Sequence, residues 1–331
     1  MISSSARVRL ASALSALLLF SSTVFAQSSE PVLPTGVSKD RLAAEAVWAQ
    51  IRRMPPGTRP RIVLVLGGGG ARGLAHIGVL RVFEEEGIPI DEIVGVSVGA
   101  LIGALYASGI SVDDIEKMAG DIGWSKLSDY SKTAMVSLIL RDELLSSNGM
   151  EAYLNKRIGD KYFSDLNIPF SCVATDIRTG ERVVFREGPV ALATRASATI
   201  PAIFKPVEYR HRLLVDGGLT DNLPTDIANQ PGDDDIIIGV LPIGEYLLTD
   251  TSTVFRSLVR AIDIQKDIII EAKKKSADLM IEPNVGNVSM VDLGRSHDCI
   301  EAGTVAARHS ALSIKALVLA RMAEHRKAGE R

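Results

Sequence analysis

The chain has 331 residues, of which 46% are hydrophobic, and a formal net charge of −3 at pH 7. This length and apolar content suffice for a full hydrophobic core in one or two domains, and the composition is not that of a disordered chain. The small negative charge leaves no basic surplus for phosphate backbones, so we expect no nucleic-acid partner.

The first 26 residues have the pattern of a secretory signal peptide. Arg7 and Arg9 precede the apolar run from Leu10 to Phe20, and small residues stand around the predicted cleavage point after Ala26. A membrane anchor is the alternative, but the run is shorter than the roughly 20 residues that a spanning helix needs. We therefore expect an exported protein, periplasmic or secreted.

Residues 27–60 are predicted to form a linker and an N-terminal helix. The helical pattern runs from about Lys39 to Met54, and Pro55-Pro56-Gly57 ends it. The main domain is predicted over residues 61–325.

Apolar runs typical of strands alternate with helical patterns along this main domain. The strand Ile62–Leu66 precedes a helix from about Gly73 to Glu86, and the strand Glu92–Val96 precedes a helix over Val98–Ala107. Further strand signals are Phe170–Thr175, Val183–Phe185, Leu213–Val215, Ile236–Leu241 and Leu279–Ile281. This alternation predicts a mostly parallel sheet covered by helices.

Other features of the domain are less specific. Thr179-Gly180 and Arg210-His211-Arg212 have the composition of hairpin turns, which predicts some antiparallel strands. The apolar stretch Met118–Met150 fits a core helix better than a lid over a lipid site. Cys172 is predicted to be a buried apolar residue, and spacing alone does not show whether it pairs with Cys299.

Ser97 stands in the motif Gly95-Val96-Ser97-Val98-Gly99, at the end of the second strand and the start of a helix. A nucleophile elbow has this form, because its serine occupies a strained turn and side chains at both glycine positions would clash. The helix N-terminus behind the serine also favours developing negative charge. Ser97 is therefore the candidate nucleophile of an acyl transfer.

The glycine-rich loop after the first strand is the candidate anion site. Gly67 to Gly70 place consecutive backbone amides before a helix, an arrangement that presents N–H groups to an oxyanion. Gly68–Gly73 also fits the dinucleotide fingerprint, which needs an acidic residue at the end of the second strand. Here that strand ends at Val96-Ser97 and Asp91 precedes it, so we favour the oxyanion hole.

Asp216 is the candidate general base. It follows the strand Leu213–Val215 and precedes Gly217-Gly218, which allow close approach of other backbone segments. The alternative is an ordinary turn aspartate before two glycines. The five histidines, at positions 76, 211, 297, 309 and 325, lie in no catalytic motif, and we expect them to be structural or solvated.

Four blocks in this order resemble the patatin-like phospholipase family, in particular its exported bacterial members. They are Gly68–Gly73, Gly95–Gly99, Ala196–Pro201, and Asp216–Gly218 followed by Asn222-Leu223-Pro224. Four ordered blocks are far more specific than any single motif. The resemblance covers roughly residues 60–310 and implies a three-layer α/β/α fold with a central, mostly parallel sheet.

The resemblance also implies an activity and its site. It implies hydrolysis of phospholipids and other lipid acyl esters by a Ser97–Asp216 dyad, through an acyl-enzyme intermediate. The residues that match the block assigned to the oxyanion hole are Gly68, Gly69, Gly70 and Arg72. The family requires no metal or redox cofactor, and lipid substrates lead us to expect peripheral contact with a membrane.

Two other functions are compatible with parts of this pattern. A lipid-binding or membrane-associating module with a degenerate dyad is the main alternative, although both dyad positions are occupied by the expected residue types. A nucleotide-binding oxidoreductase is the weaker one. Val96 and Val98 are bulkier than the residues often found beside the family's nucleophile, which predicts a narrower pocket.

Overall fold

The computed structural model describes residues 39–55, 57–121, 144–228, 235–244, 254–290 and 292–329. The predicted signal peptide and residues 122–143 of the apolar stretch Met118–Met150 lie outside these ranges. Among the helices within them, none combines the length and the hydropathy needed to cross a membrane.

The chain divides into two compact units, one formed by residues up to Arg61 with Ala311–Arg331, the other by Ile62–Ser310. In the first unit, helix α1 (Lys39–Ile51) ends before the predicted Met54, since Pro55 disfavours helical backbone in the residue before it. The ammonium group of Lys315 lies 5.4 Å from the ring centre of Trp48 within this unit.

The second unit contains every candidate site residue. Its strands and helices are β1 (Ile62–Leu66), α2 (Ala75–Glu85), β2 (Glu92–Val96), α3 (Val98–Ala107), α4 (Val112–Asp121), α5 (Asn148–Ile158), β3 (Phe170–Asp176), β4 (Arg182–Phe185), α6 (Val190–Ser197), β5 (Val207–Tyr209), β6 (Arg212–Asp216), α7 (Thr225–Ala228), β7 (Ile236–Val240), α8 (Val254–Lys274), β8 (Leu279–Ile281) and the start of α9 (Ser296–Gly329).

The eight strands form one sheet with hydrogen-bonded neighbours in the order β5-β6-β3-β2-β1-β7-β8, and β4 pairs with β3. The run from β3 through β2, β1 and β7 to β8 is parallel, whereas β4 and β6 are antiparallel to β3. The expected mixed α/β fold with a mostly parallel central sheet is therefore confirmed. The hairpins predicted at Thr179-Gly180 and at Arg210-His211-Arg212 are also present.

Helices cover both faces of the sheet. Alternate side chains of its central strands point to opposite faces. On one face, Leu66 and Ile93 lie beside Gly103 of α3. On the other face, a buried cluster joins strand valines such as Val63 to residues of α7 and α8, including Ile270. All five residues of β1 are buried, as a strand between two helical layers requires.

The predicted strands agree with the observed ones to within one residue at each end. The start of the first helix after β1 differs from the prediction. The helix predicted from Gly73 begins as a 3-10 turn over Gly70–Leu74, and α2 follows it from Ala75. The Ala71 N–H donates to the Met290 carbonyl at 2.7 Å, so a long-range contact shapes this segment. Strand β5, three residues long, was not predicted.

Two helices of the second unit cross at glycines. A Cβ on Gly78 of α2 would overlap the carbonyl oxygen of Ile300, and a Cβ on Gly303 of α9 would overlap the carbonyl oxygen of Ala75. The backbones of α2 and α9 are therefore in direct contact, and even a methyl group would force them apart.

We expect Gly78→Ala to lower the free energy of unfolding by roughly 1–3 kcal/mol, because the added methyl group overpacks this crossing. The control is Gly120→Ala in α4, where no described atom lies within 4 Å of the new Cβ. Relief of glycine's helix penalty should leave that variant neutral or stabilise it by up to about 1 kcal/mol. Urea denaturation measures both, and equal effects would contradict the crossing.

Candidate active site

Ser97 occupies a sharp turn between β2 and α3. Its backbone angles, φ 54° and ψ −125°, lie in a region that non-glycine residues rarely adopt. Such strain persists only where the surroundings enforce it, and it is typical of a nucleophile elbow. Ser97 is 6% exposed, so its hydroxyl lies in a largely desolvated position.

The two glycines of the elbow are required by sterics. A Cβ on Gly95 would lie 2.6 Å from the Cα atom of Ala100. A Cβ on Gly99 would lie 2.6 Å from the carbonyl oxygen of Gly67. Both distances are shorter than any stable contact, so the Gly-x-Ser-x-Gly spacing follows from the close approach of α3 to the sheet.

Strand pairing brings Asp216 to the serine. Val173 of β3 pairs with β2 on one side and β4 on the other, and the next residue, Ala174, pairs with β4 and with Asp216 of β6. Because a strand has two edges, β2 and β6 share one edge of β3 and meet there end to end. Ser97 follows the last residue of β2, and its Oγ donates to Asp216 Oδ2 at 2.6 Å.

Both the carboxylate and the backbone of Asp216 are held by hydrogen bonds. Its Oδ1 accepts from the Gly218 N–H at 2.8 Å. Its backbone N–H donates to the Thr199 carbonyl at 2.8 Å, and its carbonyl accepts from Thr175 Oγ1 at 3.0 Å. Asp216 is 5% exposed. These contacts leave Oδ2 directed at Ser97, as a base requires.

The glycine loop contains two backbone donors without an acceptor. Within the described residues, no acceptor takes the N–H groups of Gly69 and Gly70. The Gly68 N–H is already donated to the Asn222 carbonyl at 3.2 Å, so Gly68 shapes the loop without offering a free donor. The backbone N–H of Val98, the first residue of α3, also has no acceptor among the described residues, as is usual for the first turn of a helix.

Arg72 connects this loop to the segment after β8. Its Nε donates to the Val288 carbonyl at 2.7 Å, and the residue is 8% exposed. The neighbouring Ala71 N–H bonds to Met290 in the same segment. The sequence placed Arg72 in the oxyanion block, and the contact of its guanidinium group supports the loop's position.

His76 is buried beneath the glycine loop. Its Nε2 lies 2.8 Å from the Gly67 carbonyl, and because a carbonyl can only accept, Nε2 carries the proton. Burial lowers the pKa of His76 from 6.5 to about 4, although the bond to Gly67 opposes the shift. Of the two roles predicted for the histidines, structural or solvated, His76 has the structural one: it is buried and neutral, and it holds the loop.

Ser197 contacts Ser97, and sequence reasoning assigned it no role. It ends α6 and is fully buried, and its Oγ accepts from the Ser97 backbone N–H at 3.0 Å. The signal available in the sequence was its place in the block Ala196–Pro201, which carried no chemistry of its own. Ser197 satisfies a buried donor at the most strained point of the site.

Both cysteines are buried free thiols. Burial raises the pKa of Cys172, and the prediction of a buried apolar role for it is confirmed. Burial raises the pKa of Cys299 to about 11. Neither thiol is activated for nucleophilic chemistry.

The low pKa of His76 predicts a pH-dependent stability. The unfolded chain binds a proton at this residue below pH 6.5, and the folded chain only below about pH 4. Stability is therefore lost as pH falls through this window, by on the order of 3 kcal/mol at pH 4. In His76→Gln, which keeps an N–H donor, this slope should disappear. Parallel unfolding free energies of both proteins from pH 7 to pH 4 would contradict the assignment.

Loss of the Ser197 hydroxyl should leave the Ser97 N–H buried without an acceptor. We expect Ser197→Ala to lower the free energy of unfolding by about 1–3 kcal/mol. Ser171→Ala is the matched control, since Ser171 is equally buried and its Oγ has no partner among the described residues. Chemical denaturation measures the free energy of unfolding of both variants. Equal losses would show that the hydrogen bond to Ser97 does not stabilise the fold.

Comparisons with known proteins identify the family of the chain. The patatin-like phospholipase family profile matches residues 64–229. An uncharacterized NTE family protein of Mycobacterium tuberculosis is 31% identical over 271 residues, which are 74% of this chain and 45% of that protein. Human patatin-like phospholipase domain-containing protein 6 is 36% identical over 204 residues, 60% of this chain and 14% of that protein. The chain thus spans less than half the length of these curated relatives.

The fold also has a counterpart among solved structures. The crystal structure of VipD from Legionella pneumophila superposes with a TM-score of 0.52 at 16% sequence identity, covering 77% of this chain and 67% of VipD. At this identity the likeness concerns the fold alone. Since the family profile covers half of the chain and includes the glycine loop, Ser97 and Asp216, this chain belongs to the patatin-like phospholipase family.

Proposed function

We propose that this chain is a serine acyl hydrolase of phospholipase A or lysophospholipase type, which cleaves lipid acyl esters through Ser97 and Asp216. The observation that carries the proposal is the 2.6 Å hydrogen bond from Ser97 Oγ to Asp216 Oδ2 at a strained elbow. Membership of the patatin-like phospholipase family supports the choice of lipid esters as the substrate class.

In the first half-reaction Asp216 accepts the Ser97 hydroxyl proton as Ser97 Oγ attacks the ester carbonyl carbon. The tetrahedral intermediate carries its negative charge on the former carbonyl oxygen, and we assign the N–H groups of Gly69 and Gly70, which have no acceptor among the described residues, to bind it. Collapse of the intermediate breaks the ester bond. The departing alcohol, a glycerol or lysolipid oxygen, takes the proton from Asp216, and the acyl group remains on Ser97.

In the second half-reaction water replaces the alcohol. Asp216 accepts a proton from the water, whose oxygen attacks the acyl-enzyme carbonyl carbon, and the same N–H groups bind the new oxyanion. The Ser97–acyl bond then breaks, and the proton returns from Asp216 to Ser97 Oγ. A fatty acid is released. Every proton is accounted for by one carboxylate, so this route uses no metal or redox group.

Geometry supports a carboxylate in the role that histidine has in other serine hydrolases. A general base needs its acceptor oxygen within hydrogen-bond reach of the proton that it takes. Asp216 is 5% exposed and has an N–H donor on one oxygen, so the other oxygen is directed at Ser97. Lipid substrates imply peripheral contact with a membrane, and the signal-peptide pattern of residues 1–26 supports action outside the cytoplasm.

The test uses purified mature protein with Ser97→Ala and Asp216→Asn. Each variant should lose ester turnover by at least about a thousandfold while remaining folded, because the two residues act as one unit. A fluorescent fluorophosphonate should label wild type on the peptide that contains Ser97, fail to label Ser97→Ala, and label Asp216→Asn far more slowly.

The matched control is Ser108→Ala, which removes a buried hydroxyl at the opposite end of α3, where it donates to the Ala104 carbonyl. It should keep both turnover and labelling. Turnover retained in either dyad variant would disprove the dyad. A folded wild type that neither reacts with the probe nor hydrolyses phospholipid vesicles, yet binds them, would favour the degenerate lipid-binding module.

A further inference from the structure

The segment Asp216–Asn222 contacts both Ser97 and the glycine loop. Its first residue accepts the hydrogen bond from Ser97, and its last residue accepts from the Gly68 N–H. The Asn222 side chain also packs against Gly68 so closely that a Cβ there would overlap its Oδ1. A shift of this segment would therefore move the base and the glycine loop together.

The segment is tightly wound. The Gly218 N–H donates to Asp216 Oδ1 at 2.8 Å, and the Asp221 N–H donates to the Gly217 carbonyl at 2.9 Å. A 3-10 turn over Gly217–Leu219 lies between these contacts. Asn222 follows Asp221 directly, and the two contacts above link Asp221 to Asp216 through Gly217 and Gly218, so a displacement of Asp221 is transmitted to both ends of the segment.

Asp221 is the buried member of a partly exposed ion cluster, which consists of Arg182, Asp221, Asp226 and Lys273. Asp221 Oδ2 accepts from Lys273 Nζ at 2.9 Å and also from Arg182 Nη1. Arg182 belongs to β4 and Lys273 to the last turn of α8, so the carboxylate ties the segment to two separate elements. Its side chain is 1% exposed, and salt screens such a buried pair only weakly.

The same cluster contains a second carboxylate in a different setting. Asp226 contacts both cations, with Oδ2 at 2.8 Å from Arg182 Nη1, but its side chain is 42% exposed and it lies on the short helix α7. The buried Oδ1 of Asp221 has no hydrogen-bond partner among the described residues, so the two cations are the partners that these residues give the Asp221 carboxylate. The two aspartates therefore share their cations, but Asp221 belongs to the segment that contacts the site and Asp226 belongs to α7.

We infer that Asp221 is a positioning residue, whose double ion pair with Arg182 and Lys273 sets the Asp216–Asn222 segment and, through it, both the base and the glycine loop. Its effect on turnover rests on the proposed function. Its effect on the order of the two segments does not, because Asp221 touches no substrate and acts through the backbone.

The test compares Asp221→Asn with Asp226→Asn in the full-length mature protein. Both changes remove one negative charge from the same cluster and retain the shape of the side chain. In Asp221→Asn the remaining Asp226 keeps Arg182 and Lys273 paired, so no cation is left without a counter-charge. Lys273→Met is a second variant that weakens the anchor and leaves the segment's sequence unchanged.

The first readout is hydrogen–deuterium exchange of the peptides spanning residues 67–74 and 216–223. In Asp221→Asn both should exchange roughly tenfold faster than in wild type, and in Asp226→Asn both should stay within about twofold. Lys273→Met should shift the same peptides in the same direction. Unchanged exchange in both peptides of Asp221→Asn, or an equal change in Asp226→Asn, would overturn the inference.

The second readout is turnover of a soluble ester. Asp221→Asn should lower kcat roughly ten- to hundredfold with little change in KM, because misplaced catalytic groups slow the chemical step without weakening ground-state binding. Asp226→Asn should remain within about twofold of wild type in both constants. Normal kcat in Asp221→Asn would overturn the catalytic part. An inactive wild type would refute the proposed function, and the exchange data would still decide the inference.

Discussion

The end-to-end meeting of β2 and β6 along one edge of β3 is the constraint on which the site depends. A parallel strand and an antiparallel strand approach from opposite directions and stop at adjacent residues, Val173 and Ala174. Ser97 and Asp216, 119 positions apart in sequence, are therefore joined by a hydrogen bond. This arrangement brings the carboxylate to the serine at the end of a strand and not on a long loop, so the sheet backbone holds Asp216 in place.

Backbone strain and buried hydrogen bonds support each other around this meeting point. The left-handed turn at Ser97 is unfavourable by itself, and it persists because Ser197 accepts its N–H and because close packing of α3 leaves no alternative. His76 and Arg72 secure the glycine loop from two other directions. The glycine loop and the turn at Ser97 are therefore held in place by the fold itself, and groups preorganised in this way need no rearrangement during a reaction.

Much of the fold was predictable from local pattern, because strands buried on both faces have continuous apolar runs and the elbow glycines have a fixed spacing. The sequence analysis placed Ser97 and Asp216 at strand ends correctly. It did not assign Ser197 or Asp221 a role, since a serine in a helix and an aspartate in a turn are unremarkable until their partners are known. It also did not show that the Gly68 N–H is already occupied.

What the sequence determined by itself is the set of elements and the chemistry each can offer: an alternating α/β chain, a serine on an elbow, a glycine loop and a carboxylate after a strand. Tertiary structure decided which of these meet. Register along β3 placed Asp216 beside Ser97, and burial made His76 a neutral donor to the loop. The reason is physical: local patterns report which face of an element is apolar, whereas pairing partners and desolvation depend on residues far away in sequence.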